Sequence, residues 1–507
     1  MRLVFSLVLG FVLMCAIPVY GQGGVEVGEF ASPFLPHDHW VHGAVRRLEI
    51  AGLAPKGFGG GKRPRTQREV ALLFERAELL ARSKAPELAG LAGAYRLRFM
   101  EEFGWAVDAV QFGVIPDRLQ LVSGRIEVGY EEHRGRVATG VGYDPEDDWT
   151  GALPREDRRG QSNHLALALA LPPYLALHLT PGHRASRWEF DEAHLVIGVG
   201  KWSFWGGRRI LGFHQGMGGG IVLSDNQAFD GGGISLLEPI SLPWLLEYLG
   251  PVRFDLFLTR IENGDRITDP WFGVARGTIE PHPRLELGFN RANIFGGKGN
   301  SPTTPRSVLQ MILGIHAGEE GEYNNEVFSV DLRYTPPLGS VPLSVYLEWG
   351  MDDSAGGWWY VPARVVGLEL AAVPGLPEVA LGIERTSFAE GCCGNTIWYR
   401  NWALRGGWAA GGEPLGHPLA GHGVEWLVHG RADLFAARAQ LGIELFRRER
   451  GEENLLAPER EGRSWGGRIS LDGRLSQTIH LFARGYLDDG EGEWRERMGE
   501  VGARVVF

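Results

Sequence analysis

From about residue 106 onward the chain repeats one pattern: short segments in which apolar residues alternate with charged ones. In 125–130, Ile126, Val128 and Tyr130 fall on one side of an extended chain, and Arg125 and Glu127 on the other. Leu285, Leu287 and Phe289 oppose Glu286, and Leu343, Val345, Leu347 and Trp349 oppose Ser344, Tyr346 and Glu348. The segments 424–434, 439–445 and 469–475 repeat the arrangement, with Glu425, His429, Arg431 and Asp433, then Gln440 and Glu444, then Ser470, Asp472 and Arg474 on the polar side. A period of two with one apolar face is a strand signal. A soluble sandwich alternates too, but turns its apolar face inward. A transmembrane barrel turns that face to lipid and lines the lumen with charge. Here the opposed face is charged, and no helical layer competes with it. A strand of ~10 residues with its share of turn and loop predicts an all-β transmembrane antiparallel barrel of roughly 16 to 18 strands over 106–507. A β-helix or propeller would repeat at a fixed period, and none is found.

The last stretch has the same form. Phe507, Val505, Ala503 and Val501 share one face; Val506, Arg504, Gly502 and Glu500 share the other. There is no frayed polar tail of the common kind. This ending resembles the last strand of bacterial outer-membrane barrels. The resemblance implies that Phe507 and Val505 form part of a signal read by the barrel assembly machinery.

At the other end, Met1-Arg2 precedes an apolar run, 3–17, and Val19-Tyr20-Gly21 offers small residues. This predicts a secretory signal peptide over 1–21. A lipoprotein reading at Cys15 fits poorly, because Met14 precedes it. After this segment no run reaches the ~18 apolar residues of a membrane helix. The chain has 74 glycines, 17 tryptophans and 24 phenylalanines, which suit tight turns and interfacial aromatic belts. Its net charge of −11 excludes nucleic acid as an expected partner. Cys15, Cys392 and Cys393 are too few for a disulfide framework. Cys392 and Cys393 either close on each other or remain thiols in an oxidising compartment.

Between a leader, 22–35, and the strands lies a helical segment, 36–105, expected in the periplasm. Asp38 can cap a first helix that buries Val41, Ala44, Val45, Leu48 and Ala51, and Gly52 ends it. A glycine loop over 57–64 follows. Thr66-Gln-Arg-Glu69 is a capping box for a second helix through Val70, Leu73, Phe74 and Ala77. Pro86 breaks it before a third helical stretch, 88–103. Asp38-His39-Trp40, Gly52-Leu53, Arg63-Pro64 and 66–69 together resemble one S-layer homology repeat, with the basic residue of its Thr-Arg-Ala-Glu mark displaced to Arg68. That resemblance implies cell-wall (peptidoglycan) binding through Asp38, Trp40, Arg63 and Arg68. The alternative is a structural hairpin that packs against or plugs the barrel. His37, His39 and His42 lack the carboxylate or Cys spacing that would complete a metal site, and no metal or cofactor is expected.

The irregular pieces 144–163, 206–220, 225–249, 296–307, 352–362, 391–396, 411–422 and 448–463 are the expected loops. Lys201-Trp-Ser-Phe-Trp-Gly-Gly-Arg-Arg209, the segment 220–229, Ile234-Ser-Leu236, Asp269-Pro-Trp-Phe-Gly273 leading into 281–289, and Pro414-Leu-Gly-His-Pro-Leu419 resemble, in their order, the Wzi capsule-assembly family. The resemblance implies an outer-membrane barrel of a Gram-negative-type cell with a periplasmic helical element. It would act in the surface attachment of capsular polysaccharide as a lectin and not as an enzyme.

The residues themselves show no His-Glu-x-x-His and no P-loop. Folding could still bring two carboxylates together for glycoside cleavage, but lumen charges are expected in any barrel, and no catalytic residue is assigned. Aromatic faces stack on sugars, and Arg bonds hydroxyls and carboxylates. That makes Trp358, Trp359 and Tyr360 in a loop, and Trp398, Tyr399, Arg400 and Trp402 near a strand end, candidates for sugar contact. Their other reading is an interfacial aromatic belt. The function expected is binding and assembly of surface capsular or exopolysaccharide. A passive diffusion porin, and a tether from outer membrane to cell wall, are the alternatives.

Overall fold

The computed structural model describes residues 30–507 apart from 59, 140–151, 172, 185–186, 263–266, 301, 305, 307–323, 339–340, 353–361, 389–397, 402–403 and 405. Eighteen long antiparallel strands close into a barrel, and a two-residue strand, Ile240–Ser241, joins its edge. In chain order they are β1 Gln120–Arg134, β2 Arg158–Leu171, β3 Leu175–Arg184, β4 Arg187–Val199, β5 Trp202–Ile210, β6 Ala228–Leu236, β7 Pro251–Arg260, β8 Trp271–His282 and β9 Leu285–Phe295. Then come β10 Asn325–Tyr334, β11 Leu343–Asp352, β12 Ala363–Leu370, β13 Val379–Phe388, β14 Gly423–Leu434, β15 Ala439–Arg450, β16 Gly462–Arg474, β17 Ile479–Gly490 and β18 Arg495–Val506. Each pairs with its neighbours in sequence, and β1 pairs with β18 to close the wall.

The alternation sets which face is which. Ile126, Val128 and Tyr130 are 44%, 48% and 43% exposed, whereas Glu127 between them is 3% exposed. Apolar side chains point out to lipid and charged ones point in. Exposed Trp188, Trp426 and Trp465 form a girdle at one rim, and Tyr174, Trp244, Tyr248 and Tyr334 at the other. The rim with the shorter connections is the periplasmic one.

Two expected loops are corrected. Strand β5 runs into 206–220, and β6 lies inside 225–249. Their glycines hid the period of two, and the packing explains the glycines. Gly206 and Gly207 stand opposite Gly232 and Gly231, and a Cβ on Gly233 would come within 2.4 Å of the Trp205 indole nitrogen. Strand β2 likewise begins inside the expected loop 144–163, and β15 and β16 cut into 448–463 from both sides.

Three helices precede the wall: α1 Val41–Ile50, α2 Gln67–Lys84 and α3 Pro86–Phe112. Gly52, at φ +67°, follows the end of α1, and the Thr66–Glu69 capping box forms at α2. Asp38 does not cap α1: its N-cap is Trp40, with no side-chain bond. The Asp38 carboxylate instead receives Arg125 at 3.2 Å, Arg484 at 2.9 Å and Arg504 at 3.3 Å. Three guanidinium groups are a stronger attraction than one orphan N–H at a helix start. Pro86 opens α3 rather than merely interrupting α2, and α3 runs past 105 to Gly113, which ends it at φ +66°.

The helices close the periplasmic end of the lumen. Arg47 donates to the carbonyls of Ala371 (2.6 Å), Glu378 (2.9 Å) and Pro377 and to Asp433 (2.6 Å). Arg98 donates to the Ala437 carbonyl and to Asp472, both at 2.9 Å. From the helices, the glycine loop rises along the wall. Gly57 N–H donates to Glu280 at 2.8 Å and Gly60 N–H to Glu286 at 2.9 Å. Lys62–Arg63 then pair, strand to strand, with Gly212–Phe213 of the chain after β5.

Burial by itself would raise the Asp38 carboxyl, yet Arg125, Arg504 and Arg484 hold it well below the usual carboxylate range. Its folded value therefore lies below the unfolded one. The stabilisation is complete above the ordinary carboxylate range and is lost as pH falls through the folded value. Removing one partner of a buried pair costs about 3–5 kcal/mol. Asp38→Asn is expected to leave a heat-modifiable barrel while exposing the helices to protease in the membrane-inserted protein. Unchanged protease resistance would mean that other contacts hold the plug.

The closing strand generates a second prediction. Phe507 exchanges backbone hydrogen bonds with Gly124 (2.7 and 3.0 Å), and its half-exposed ring lies over that glycine. A charge on the lipid face near the interface costs only about 0–1 kcal/mol in the folded barrel. Phe507→Asp is thus expected to lower the level of folded protein in cells severalfold, through recognition by the assembly machinery, while refolding into detergent proceeds normally. Normal levels of heat-modifiable variant in the outer membrane would defeat this.

Candidate binding site at the outer mouth

Beyond β5 the chain 211–227 folds down into the barrel, where Phe213 and Ile221–Leu223 are buried. A second segment, between β13 and β14, covers it. Trp408 donates its indole N–H to the Val222 carbonyl at 2.9 Å, and the Tyr399 hydroxyl donates to the Ile221 carbonyl. Under this cap the inward charges of β8–β14 meet partners rather than an open lumen. Arg276 bonds Asp331 and Asn290, both at 2.7 Å. Glu384 accepts the N–H of Met217 at 2.6 Å and of Gly218 at 2.9 Å and the Tyr346 hydroxyl at 2.6 Å. Among the described residues one group, Glu384, His417 and Glu425, brings ligand-type atoms within 4.8 Å of one another. It is fully buried, and Glu425 is also bonded by Arg448, so the group ties cap to wall.

The residues singled out for sugar contact divide in two. Trp358, Trp359, Tyr360 and Trp402 lie outside the described residues, as do Cys392 and Cys393. Trp398 and Tyr399 are buried in the cap, where both pack against Phe388. Arg400 reaches Glu453 and the Glu452 carbonyl, joining two outer loops. The residues named for cell-wall contact sit against the barrel or between helices. Asp38 meets its three arginines, the Trp40 N–H donates to Glu102 at 2.9 Å, and Arg68 pairs with Glu238. Arg63 is half-buried, its backbone paired to Gly212.

What sequence reasoning missed lies on the opposite side of the mouth, where the cap does not reach the wall. A cavity of about 550 Å³ opens there between β1, β15–β18 and the cap. Six arginines line it (136, 448, 450, 460, 468 and 484), against the carboxylates of Glu413, Glu444, Asp488 and Glu496. Arg448 and Arg450 also border an outer hollow of about 600 Å³. Glu444, Arg468, Ser470 and Arg484 connect the cavity to a deeper one of about 260 Å³ that ends on Asp38. The local signal is the run Phe446-Arg447-Arg448-Glu449-Arg450, whose last three residues fall in the expected loop 448–463.

The arginines are held but not saturated. Arg448 lies over the Phe446 ring at 3.8 Å and bonds Asp488 at 3.0 Å. Arg460 lies over the Trp494 ring at 4.0 Å, bonds Glu496 at 3.3 Å and donates to the Gly135 carbonyl. Arg450 comes no nearer to Asp488 than 3.7 Å. Among the described residues, the buried Nε and Nη1 of Arg450 and Nη1 of Arg460 have no hydrogen-bond partner. In the outer loops, burial holds the Arg460 guanidinium below its usual value despite Glu496. Burial, with Arg158 and Arg155 close by, does the same to Arg136. Such groups gain most from an added acceptor.

Comparison with solved structures gives a similar fold in Wzi of Escherichia coli, described as an outer membrane protein involved in group 1 capsule assembly and a carbohydrate-binding β-barrel. The TM-score is 0.71 at 15% identity, over 94% of this chain and 99% of that one. Pseudomonas aeruginosa OccK5 (OpdH) scores 0.47 at 11% identity over 77% of this chain and 98% of its own, and Acinetobacter baumannii OccAB4 0.45 at 9% over 76% and 97%. No curated protein matches the chain. An S-layer homology repeat finds no support in these comparisons. The model of the family "Capsule assembly protein Wzi" matches residues 110–491, from the end of α3 to the turn after β17, and the chain therefore belongs to the Wzi capsule-assembly family of outer-membrane β-barrels.

Proposed function

We propose that this protein holds capsular polysaccharide at the outer face of the outer membrane and assists its attachment there, without chemical turnover. One observation carries the reading: the barrel is filled from both ends, yet keeps an arginine-lined cavity facing outward. The helices and glycine loop occupy the inner half of the lumen, and the chain 211–227 with its cap occupies much of the outer half. A diffusion porin leaves an aqueous channel through a barrel of this strand number. Here the described residues fill the lumen with ion pairs and leave a cavity that ends on the plug at Asp38. The similarity to a carbohydrate-binding barrel of capsule assembly supports the same reading.

The site is suited to a sugar polymer on chemical grounds. Guanidinium groups bond hydroxyls and acidic substituents, and Tyr486 on the cavity wall adds a polar hydroxyl on an aromatic face. Two measurements separate this reading from a porin. Purified protein in planar bilayers is expected to show no large steady open current, and a steady porin-like conductance would overturn the reading. Cells lacking the protein are expected to shed capsular polymer into the medium while synthesising normal amounts, and unchanged retention would also count against it.

A further inference from the structure

We infer that the outer cavity is built for a negatively charged sugar residue whose carboxylate docks between Arg450 and Arg460. This rests on the polysaccharide reading above and gives its substrate class. The starting observation is a local inversion of charge. The whole chain carries 51 basic and 62 acidic residues, yet six arginines face four carboxylates in this cavity. Arginine offers a planar fork that matches a carboxylate in two parallel bonds, whereas lysine is a point charge.

The second observation is what those arginines lack. Arg450 is 4% exposed and Arg460 3%, and three of their N–H-bearing nitrogens have no partner among the described residues. A neutral hydroxyl would satisfy one of these with an ordinary bond. A carboxylate presents two acceptor oxygens, and charge-assisted bonds are roughly twice as strong. One ring, Trp494, lies near both guanidinium groups, at 4.0 Å from Arg460 and 5.9 Å from Arg450. Asp488 and Glu496, on the same wall, leave little excess positive charge. That favours a singly charged carboxylate over a doubly charged phosphate.

The test uses the full-length protein in detergent and surface polysaccharide extracted from the producing cells. One portion of polymer is native. In another, carbodiimide and borohydride have converted each carboxyl to a primary alcohol, leaving the backbone intact. The expected result is retention of native polymer by immobilised protein, with about tenfold weaker retention of the reduced polymer. Arg450→Gln and Arg460→Gln are each expected to bring native polymer down to the level of the reduced one, and Arg450→Lys not to restore it. Arg460 lies in an outer loop, so its variant tests the idea even if Arg450→Gln folds poorly; heat-modifiable migration monitors both. Equal retention of native and reduced polymer would overturn the inference while leaving the polysaccharide reading intact. Competition by inorganic phosphate as strong as by free glucuronate would overturn the choice of a carboxylate. Retention of neither polymer would remove the inference, and the shedding experiment then decides the wider reading by itself.

Discussion

A charge removed from water must meet a partner, and in this barrel that requirement governs everything inside the wall. Lipid forces the strands to turn their apolar residues outward, so each strand delivers charges inward. Eighteen strands enclose more space than wall side chains can fill. The chain fills part of it with its own backbone and side chains, and the partners are specific. Asp38 answers three wall arginines, Glu69 answers Arg253 at 2.5 Å, Lys62 answers Asp255 at 2.6 Å, and Arg47 answers Asp433. Charged wall and inserted segments thus explain one another: neither set could be buried alone.

The fold was legible because the wall obeys one local rule. Wherever alternation survives, as in 125–130 and 424–434, side and partner could be read from residue order. It failed where packing demanded glycine. Gly231, Gly232 and Gly233 erase the period of two in β6, because the Trp205 ring and a facing pair of glycines need the room. The helix signals held where they were local, as in the Thr66–Glu69 box and Gly52. They failed at Asp38, whose partners lie at residues 125, 484 and 504, far beyond any local window.

The site was less legible, for a related reason. Adjacent aromatics such as Trp398-Tyr399 stand out in a sequence, but two large rings side by side are as useful for sealing a cap as for stacking on a ligand. Here they seal: Trp398 is 1% exposed and Tyr399 fully buried. The cavity arginines come from β15, β16, β17 and two separate loops. Each reads singly as a lumen charge, and only closure of the barrel gathers them.

The asymmetry of the filling joins fold to function. On the side of β8–β14 the inserted chain comes so close to the wall that side chains are excluded from it. A Cβ on Gly218 would lie 2.8 Å from Glu384, 2.9 Å from Glu425 and 3.1 Å from His417. At the outer end of β15–β18 a cavity separates the cap from the wall, and Arg448 and Arg460 there lie over Phe446 and Trp494. Arg276, on the other side, meets Asp331 and Asn290 of the neighbouring strands. Buried donors left unmatched weaken a fold. Other buried arginines keep unmatched nitrogens too, but those of Arg450 and Arg460 border a cavity, which gives an outside acceptor its route.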